Sequence, residues 1–168
     1  MKALISAAID LCLLRRSPQD LPASTVLLWL AAMLNVLTGI LMLIDADSNP
    51  LKALGQTLFE LALMVGALYA ALLLNGRLER FIQAATALML CGFLLGGMLA
   101  LPLIAWGKQN QSAEAGILFL LVFGWGVVVI GHILRHTFEF SLNMGIAIAL
   151  LYTLLAGTLV ALIFPVTA

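Results

Sequence analysis

Long apolar runs alternate with short polar breaks along the chain, and that alternation predicts almost the whole architecture. Residues 25–44, 51–74, 81–106, 116–134 and 144–164 are nearly continuous in apolar side chains. At about 1.5 Å of rise per residue, each is long enough to cross a hydrocarbon core about 30 Å thick. A backbone in hydrocarbon must satisfy its N–H and C=O groups within its own segment, so these runs predict helices. The breaks carry the expected punctuation. Ser17, Pro18, Asp20, Pro22 and Ser24 precede the first run, where Ser24 or Thr25 is placed to cap the helix. Asp45, Asp47, Ser48, Asn49 and Pro50 make a polar turn, as do Asn75-Gly76-Arg77, the stretch 107–115 and the stretch from Arg135 to Asn143. Pro165 stops the last run, and Pro102 is expected to kink or end the third. Short connections make successive spans antiparallel.

Residues 1–16 form a shorter apolar segment that Asp10 interrupts and Arg15-Arg16 closes, without a small-residue cleavage site, so it reads as a retained helix and not as a signal peptide. Its narrow polar stripe through Ser6 and Asp10 suits a helix lying in the membrane interface or against the bundle. The predicted fold is therefore all-α: a single membrane domain over 1–168, with five transmembrane helices and an N-terminal interfacial helix.

Composition supports this. Of 168 residues 64% are apolar and 10% charged, against about 25% charged in a soluble domain. Eight basic residues balance eight acidic ones, which leaves no field to recruit nucleic acid. Position matters more than total. Lys2, Arg15, Arg16, Arg77, Arg80 and Arg135 fall on one side of the predicted spans, and Lys52 and Lys108 on the other. The positive-inside rule then predicts a cytoplasmic N-terminus and an exterior C-terminus, with Trp29 and Trp106 at interfacial depths. Cys12 and Cys91 have no metal-type or CxxC spacing and read as free thiols in apolar surroundings.

Small residues mark where helices can approach in lipid. Gly92, Gly96 and Ala100 repeat every four residues in the third span, and Gly124 and Gly131 share a face of the fourth. These faces serve either packing within the chain or a homo-oligomer or membrane-protein partner. Among polar residues Glu60 is the sharpest candidate, about 9 Å along the helix from the outer end of the second span. Lys52, Gln56 and Glu60 follow at four-residue intervals and line one face. A charge at mid-membrane costs about 2.5 to 3.5 kcal/mol on insertion scales and so turns toward protein or water. Asn35 and Thr38 in the first span reach a similar depth and are expected to hydrogen-bond Glu60 as structural glue; a solute or proton site and a partner contact are the alternatives.

A second polar cluster comprises His132, Arg135, His136 and Glu139. The two histidines are four apart, a spacing that can grip a metal, but two imidazoles without HExxH or further ligands make no zinc site, and an interfacial anchor is the plainer reading. Trp125 and Tyr152 are expected to be packing residues with satisfied polar groups, and Asp45 and Asp47 a solvated turn. No GxSxG, P-loop, dinucleotide fingerprint or catalytic carboxylate pair is present, so no cofactor, metal or enzymatic activity is expected.

Trp125, the stretch Gly131-His132-Ile133-Leu134-Arg135-His136-Thr137-Phe138-Glu139-Phe140-Ser141-Leu142, the span from Gly145, and Ser17-Pro18-Gln19-Asp20-Leu21-Pro22 resemble bacterial members of the Yip (Ypt-interacting-protein) family of five-span membrane proteins. That resemblance implies a helical module of a bacterial inner membrane without catalytic residues. Eukaryotic relatives carry a longer cytoplasmic N-terminal region linked to small-GTPase partners; this chain has almost none, and no GTPase partner is implied. The functional expectation is a non-enzymatic adaptor, scaffold or assembly factor working through helix contacts, with a small transporter or channel subunit using the Lys52, Gln56 and Glu60 face as the alternative.

Overall fold

The computed structural model describes residues 2–43, 49–110 and 113–165, and is helical throughout apart from short turns. Helix α1 covers Lys2–Cys12, α2 Thr25–Leu43, α3 Pro50–Leu74, α4 Phe81–Gly92, α5 Leu101–Asn110, α6 Ala113–Phe138 and α7 Leu142–Ile163. Five helical stretches are long and apolar enough to span a bilayer, the third formed by 78–110 as one rod. The chain is an integral membrane protein. The turn predicted at Asp45 and Asp47 lies outside the described residues.

Local chemistry sets the helix starts. Leu27 N–H donates to Ser24 Oγ at 3.4 Å, Leu51 N–H to Asn49 Oδ1 at 2.9 Å ahead of Pro50, and Met144 N–H to Ser141 Oγ at 3.3 Å. The third rod differs from expectation at Pro102, which neither ends the helix nor stands in an ordinary one. Phe93–Ala100, just ahead of it, is π-helix, and the rod continues to Asn110. Proline lacks an N–H and crowds the carbonyl four residues back; a wider turn immediately upstream relieves both problems. Helix also covers most of the stretch expected as a polar connection over 107–115, resuming at Ala113.

The bundle is packed unevenly. The end that carries Arg77, Arg80 and Glu139, called the basic end below, holds the core: Leu11, Leu72, Thr86, Val129, Ile133 and Thr137 are all fully buried. There α4 is buried on every side from Ala84 to Cys91, touching α1, α2, α3 and α6. Glycines govern the tightest approaches. A Cβ at Gly92 would lie 2.5 Å from Asn35 Nδ2, one at Gly97 2.8 Å from Thr38 Oγ1, and one at Gly131 2.7 Å from the Ile146 backbone N; one at Gly145 would collide with the Gly131 carbonyl oxygen. Gly96 and Ala100 belong to the same rod, with Gly96 against Thr38 and Met42, so the small-residue stripe of the third span packs within the chain. Gly131 does the same, but Gly124 faces open space.

Helix α1 takes the second of its two expected positions, against the bundle. Ala7, Ala8, Leu11 and Cys12 are buried on α4 while Ile5, Ile9 and Leu13 form an exposed apolar stripe. Its carbonyl ends are held from α6: Trp125 Nε1–H donates to Cys12 O at 3.0 Å, and His132 Nε2 lies 2.9 Å from Arg16 O. Trp125 is thirteen residues from the end of α6 at Phe138, about 20 Å along a helix of 26 residues, so Cys12 is held level with the middle of α6. Asp10, the polar residue of α1, is paired with Arg16 Nε at 3.2 Å.

Two predictions follow from this packing. Gly145→Ala should destabilise the bundle by about 1 to 3 kcal/mol through overpacking, whereas Gly124→Ala, facing open space, should be neutral or gain up to about 1 kcal/mol of helix propensity; thermal unfolding in detergent distinguishes them. In a Cys91→Ser background, Trp125→Phe with His132→Phe removes two hydrogen bonds of about 1 kcal/mol each, and Cys12 should react about tenfold or more faster with a membrane-permeant maleimide.

Candidate functional site

Two polar constellations stand out, one at each half of the bundle. At the basic end, α6 closes in a left-handed turn. Glu139 has φ +62°, and Phe140 N–H donates back to Arg135 O at 3.1 Å. A non-glycine residue is strained there, and the strain aims a carboxylate at the turn between α3 and α4. Arg77 Nη2 reaches Glu139 Oε2 at 2.7 Å and Arg80 Nη2 reaches Oε1 at 2.8 Å. Arg80 Nη1 also donates to the carbonyls of His136 and Thr137, at 3.3 and 3.0 Å, where a cation complements the negative end of a helix. Gln83 Nε2 donates to Gln19 O and Leu21 O, and Gln19 Nε2 to His136 O, fastening the linker after α1 to the same end.

Of the four residues predicted as one cluster here, only Glu139 joins the ion network. His132 is buried against Arg16 O, His136 stands edge-to-face on it with ring centroids 4.6 Å apart, and Arg135 is exposed. Among the described residues no group of three or more His, Cys, Asp or Glu side chains could hold a metal. This end is a fastener.

The other half holds the candidate site. Because α3 begins at Pro50, Glu60 lies ten residues, about 15 Å, along the helix. Its carboxylate accepts from Gln56 Nε2 at 2.9 Å, so the predicted four-residue ladder is real over its inner step. The outer step is broken: Lys52 Nζ turns away to donate to Pro165 O at 2.7 Å. The expected glue to α2 is also absent. Asn35 Nδ2 donates to Met89 O at 3.3 Å, and Thr38 Oγ1 to Leu34 O at 2.9 Å. The reason is steric. Gly92, Gly96 and Gly97 let α2 press this face onto α4 and the π-helical segment, which turns Thr38 away from α3.

Glu60 is instead exposed, on the wall of a cleft of about 360 Å³ between α2, α3 and α7. Asn35 and Gly39 supply one wall, Thr57, Glu60 and Met64 a second, and Tyr152, Thr153 and Gly157 the third. Two features hold α7 across the cleft at its far end: Phe164 packs on Phe59 with ring centroids 5.9 Å apart, and Pro165 O receives Lys52. A second chamber of about 340 Å³, almost wholly apolar, lies between α2, the third rod and α6, and it shares Asn35 and Met64 with the cleft. Met64 and Tyr152 also border a smaller apolar cavity of about 130 Å³ toward the basic end.

Sequence reasoning singled out Glu60, Gln56 and Asn35 but missed Thr57, Thr153 and the position of Tyr152 in this wall. Thr57 follows Gln56 directly, and a mid-span hydroxyl beside a mid-span carboxylate was the available signal. Arg77 and Arg80 carry only a topology signal in the sequence, because nothing there ties them to a glutamate about sixty residues downstream. Compared with family models, curated proteins and solved structures, the chain matches none.

The ion network carries its own pH signature. Hydrogen bonds from Arg77 and Arg80 hold the Glu139 carboxyl below its ordinary range, with the charges of the same two arginines adding to the effect. A depressed carboxyl contributes stability that is present above its unfolded pKa and is lost as pH falls through the folded value. Acid titration of the wild type should therefore lower the thermal midpoint progressively below the ordinary carboxylate range; Glu139→Gln should start lower at neutral pH and lose this step.

Proposed function

We propose that the chain is a small, non-enzymatic transporter or channel subunit of a bacterial inner membrane, handling its solute in the cleft between α2, α3 and α7. The observation that carries this reading is the position of Glu60: a carboxylate about 15 Å along its span that faces an open cleft with Gln56 as its hydrogen-bond partner. Charged groups at such depth are costly and characteristically line a solute or ion path. Tight packing at the basic end against loose packing at the other is consistent with a site entered from the far side. The six-to-two distribution of Lys and Arg assigns that side to the exterior, with the N-terminus cytoplasmic. The resemblance to bacterial Yip-type proteins supports the same membrane and carries no catalytic residue.

The adaptor reading loses its main support, since the small-residue faces at Gly92, Gly96 and Gly131 are occupied within the chain. It retains Gly124, which has open space around it beside exposed Leu120, Leu121 and Phe123, a face on which a partner helix or a second copy would fit.

Purified protein in liposomes tests the transport reading. Under imposed gradients of H⁺, K⁺ or an organic cation such as tetraethylammonium or tetraphenylphosphonium, wild-type vesicles should show flux of at least one of them above empty ones, and Glu60→Ala should reduce it about tenfold or more, the loss of a charge contact of about 1.4 kcal/mol or greater. Flux indistinguishable from empty vesicles, or unchanged in Glu60→Ala, would overturn it.

A further inference from the structure

Taking the cleft as a solute site, which rests on the reading above, we propose that its substrate class is a lipophilic cation: an amphiphile whose positive head sits at Glu60 and whose apolar body extends into the adjoining chamber. The two spaces, of about 360 and 340 Å³, lie on either side of Asn35 and Met64, which line both, so a guest that displaces these two side chains reaches from one into the other. Each volume lies within the range of small-molecule sites, about 300 to 1,000 Å³.

Charge selects the head. Glu60 is the one charged side chain among the described residues that line either space. Lys52, one helical step further along the same face as Gln56, is committed to Pro165 O and does not reach the carboxylate. Gln56 and Thr57 flank Glu60 on α3, and Tyr152 faces it from α7, where an aromatic ring can meet a cation.

Hydrophobicity selects the body. Beyond Met64 the chamber is bordered by Leu88, Leu95 and Ile104 on one side and Phe119 and Phe123 on the other. A compact hydrated ion is poorly served here. One carboxylate, an amide and a few hydroxyls cannot replace a hydration shell, and no cluster of three or more acidic, His or Cys side chains stands nearby among the described residues. A cation with dispersed charge and apolar substituents loses far less on leaving water and gains burial in the chamber.

Tetraphenylphosphonium and tetraphenylborate, similar in shape and opposite in charge, test the assignment on the full chain in lipid nanodiscs, with empty nanodiscs subtracted. Wild type should bind the phosphonium saturably and not the borate. Glu60→Gln should weaken the phosphonium about tenfold or more, and Glu60→Asp should retain the preference for the cation. Gly126→Leu, which extends a side chain toward Leu95 in the chamber, should weaken phosphonium binding while an unchanged thermal midpoint shows the fold intact. Equal retention of both ions, or phosphonium binding unaffected by Glu60→Gln, would overturn the proposal. So would Glu60-dependent flux of inorganic cations without phosphonium binding, an outcome that leaves transport standing. Saturable, Glu60-dependent phosphonium binding without any flux supports the site and removes the transport reading instead.

Discussion

Where α6 meets α7, Gly145 lies so close to the Gly131 carbonyl that neither position has room for a side chain, and much else in the structure depends on that crossing. Lipid gives helices no hydrophobic reason to associate, so the free energy must come from surfaces in close contact. The crossing fixes α7 beside α6 near the start of α7, and the same end gathers the Arg80 contacts to the His136 and Thr137 carbonyls and the two ion pairs of Glu139. Contact, charge and helix termini reinforce one another there. Further along, α7 is covered on one side alone: Gly145 and Ala149 are its fully buried residues, while Ile148, Tyr152, Thr153 and Ala156 are half-buried. At its far end Phe164 reaches Phe59 and Lys52 reaches Pro165.

A helix fastened at both ends and only half-covered between them leaves space beneath it. The cleft arises from how the small residues are distributed. Gly92, Gly96 and Gly97 draw α2 onto the third rod, and Gly39 accommodates Thr57 between α2 and α3, while Gly157 on α7 meets nothing. The π-helical turn ahead of Pro102 lines the neighbouring chamber through Leu95, Gly96 and Ala100. Local backbone chemistry in one rod thus shapes the internal space between three others. The carboxylate of Glu60 stands on the wall of that cleft and outside the tight interfaces that the glycines make.

The membrane architecture was legible because it depends on properties the sequence carries one segment at a time. Apolar length, breaker residues and the cap at Ser24 all act within a few residues of themselves. Glu60 and Gln56 were legible for the same reason, since four-residue spacing on a helix is local. The partner choices were not. Asn35 and Thr38 have the right depth to meet Glu60, but rotation of α2 decides whether they do, and glycines on α4 and the π-helical segment set that rotation. Arg77, Arg80 and Glu139 show the same limit, because an unusual left-handed backbone at Glu139 joins them across two helix connections.

The N-terminal helix extends the argument from packing to polarity. Its exposed stripe of Ile5, Ile9 and Leu13 would be out of place facing water, and its lone acid is already paired with Arg16. A helix ending within hydrocarbon leaves carbonyls without partners, a cost of several kcal/mol for each group in that medium. Trp125 meets that need by donating to Cys12 O, and His132 approaches Arg16 O closely enough to do the same for the turn that follows. Two mid-helix side chains of α6 therefore act as caps for another helix. That division of labour explains why a tryptophan N–H and a buried histidine stand in the otherwise apolar stretch 116–134 of α6, with no ligand or metal required for either.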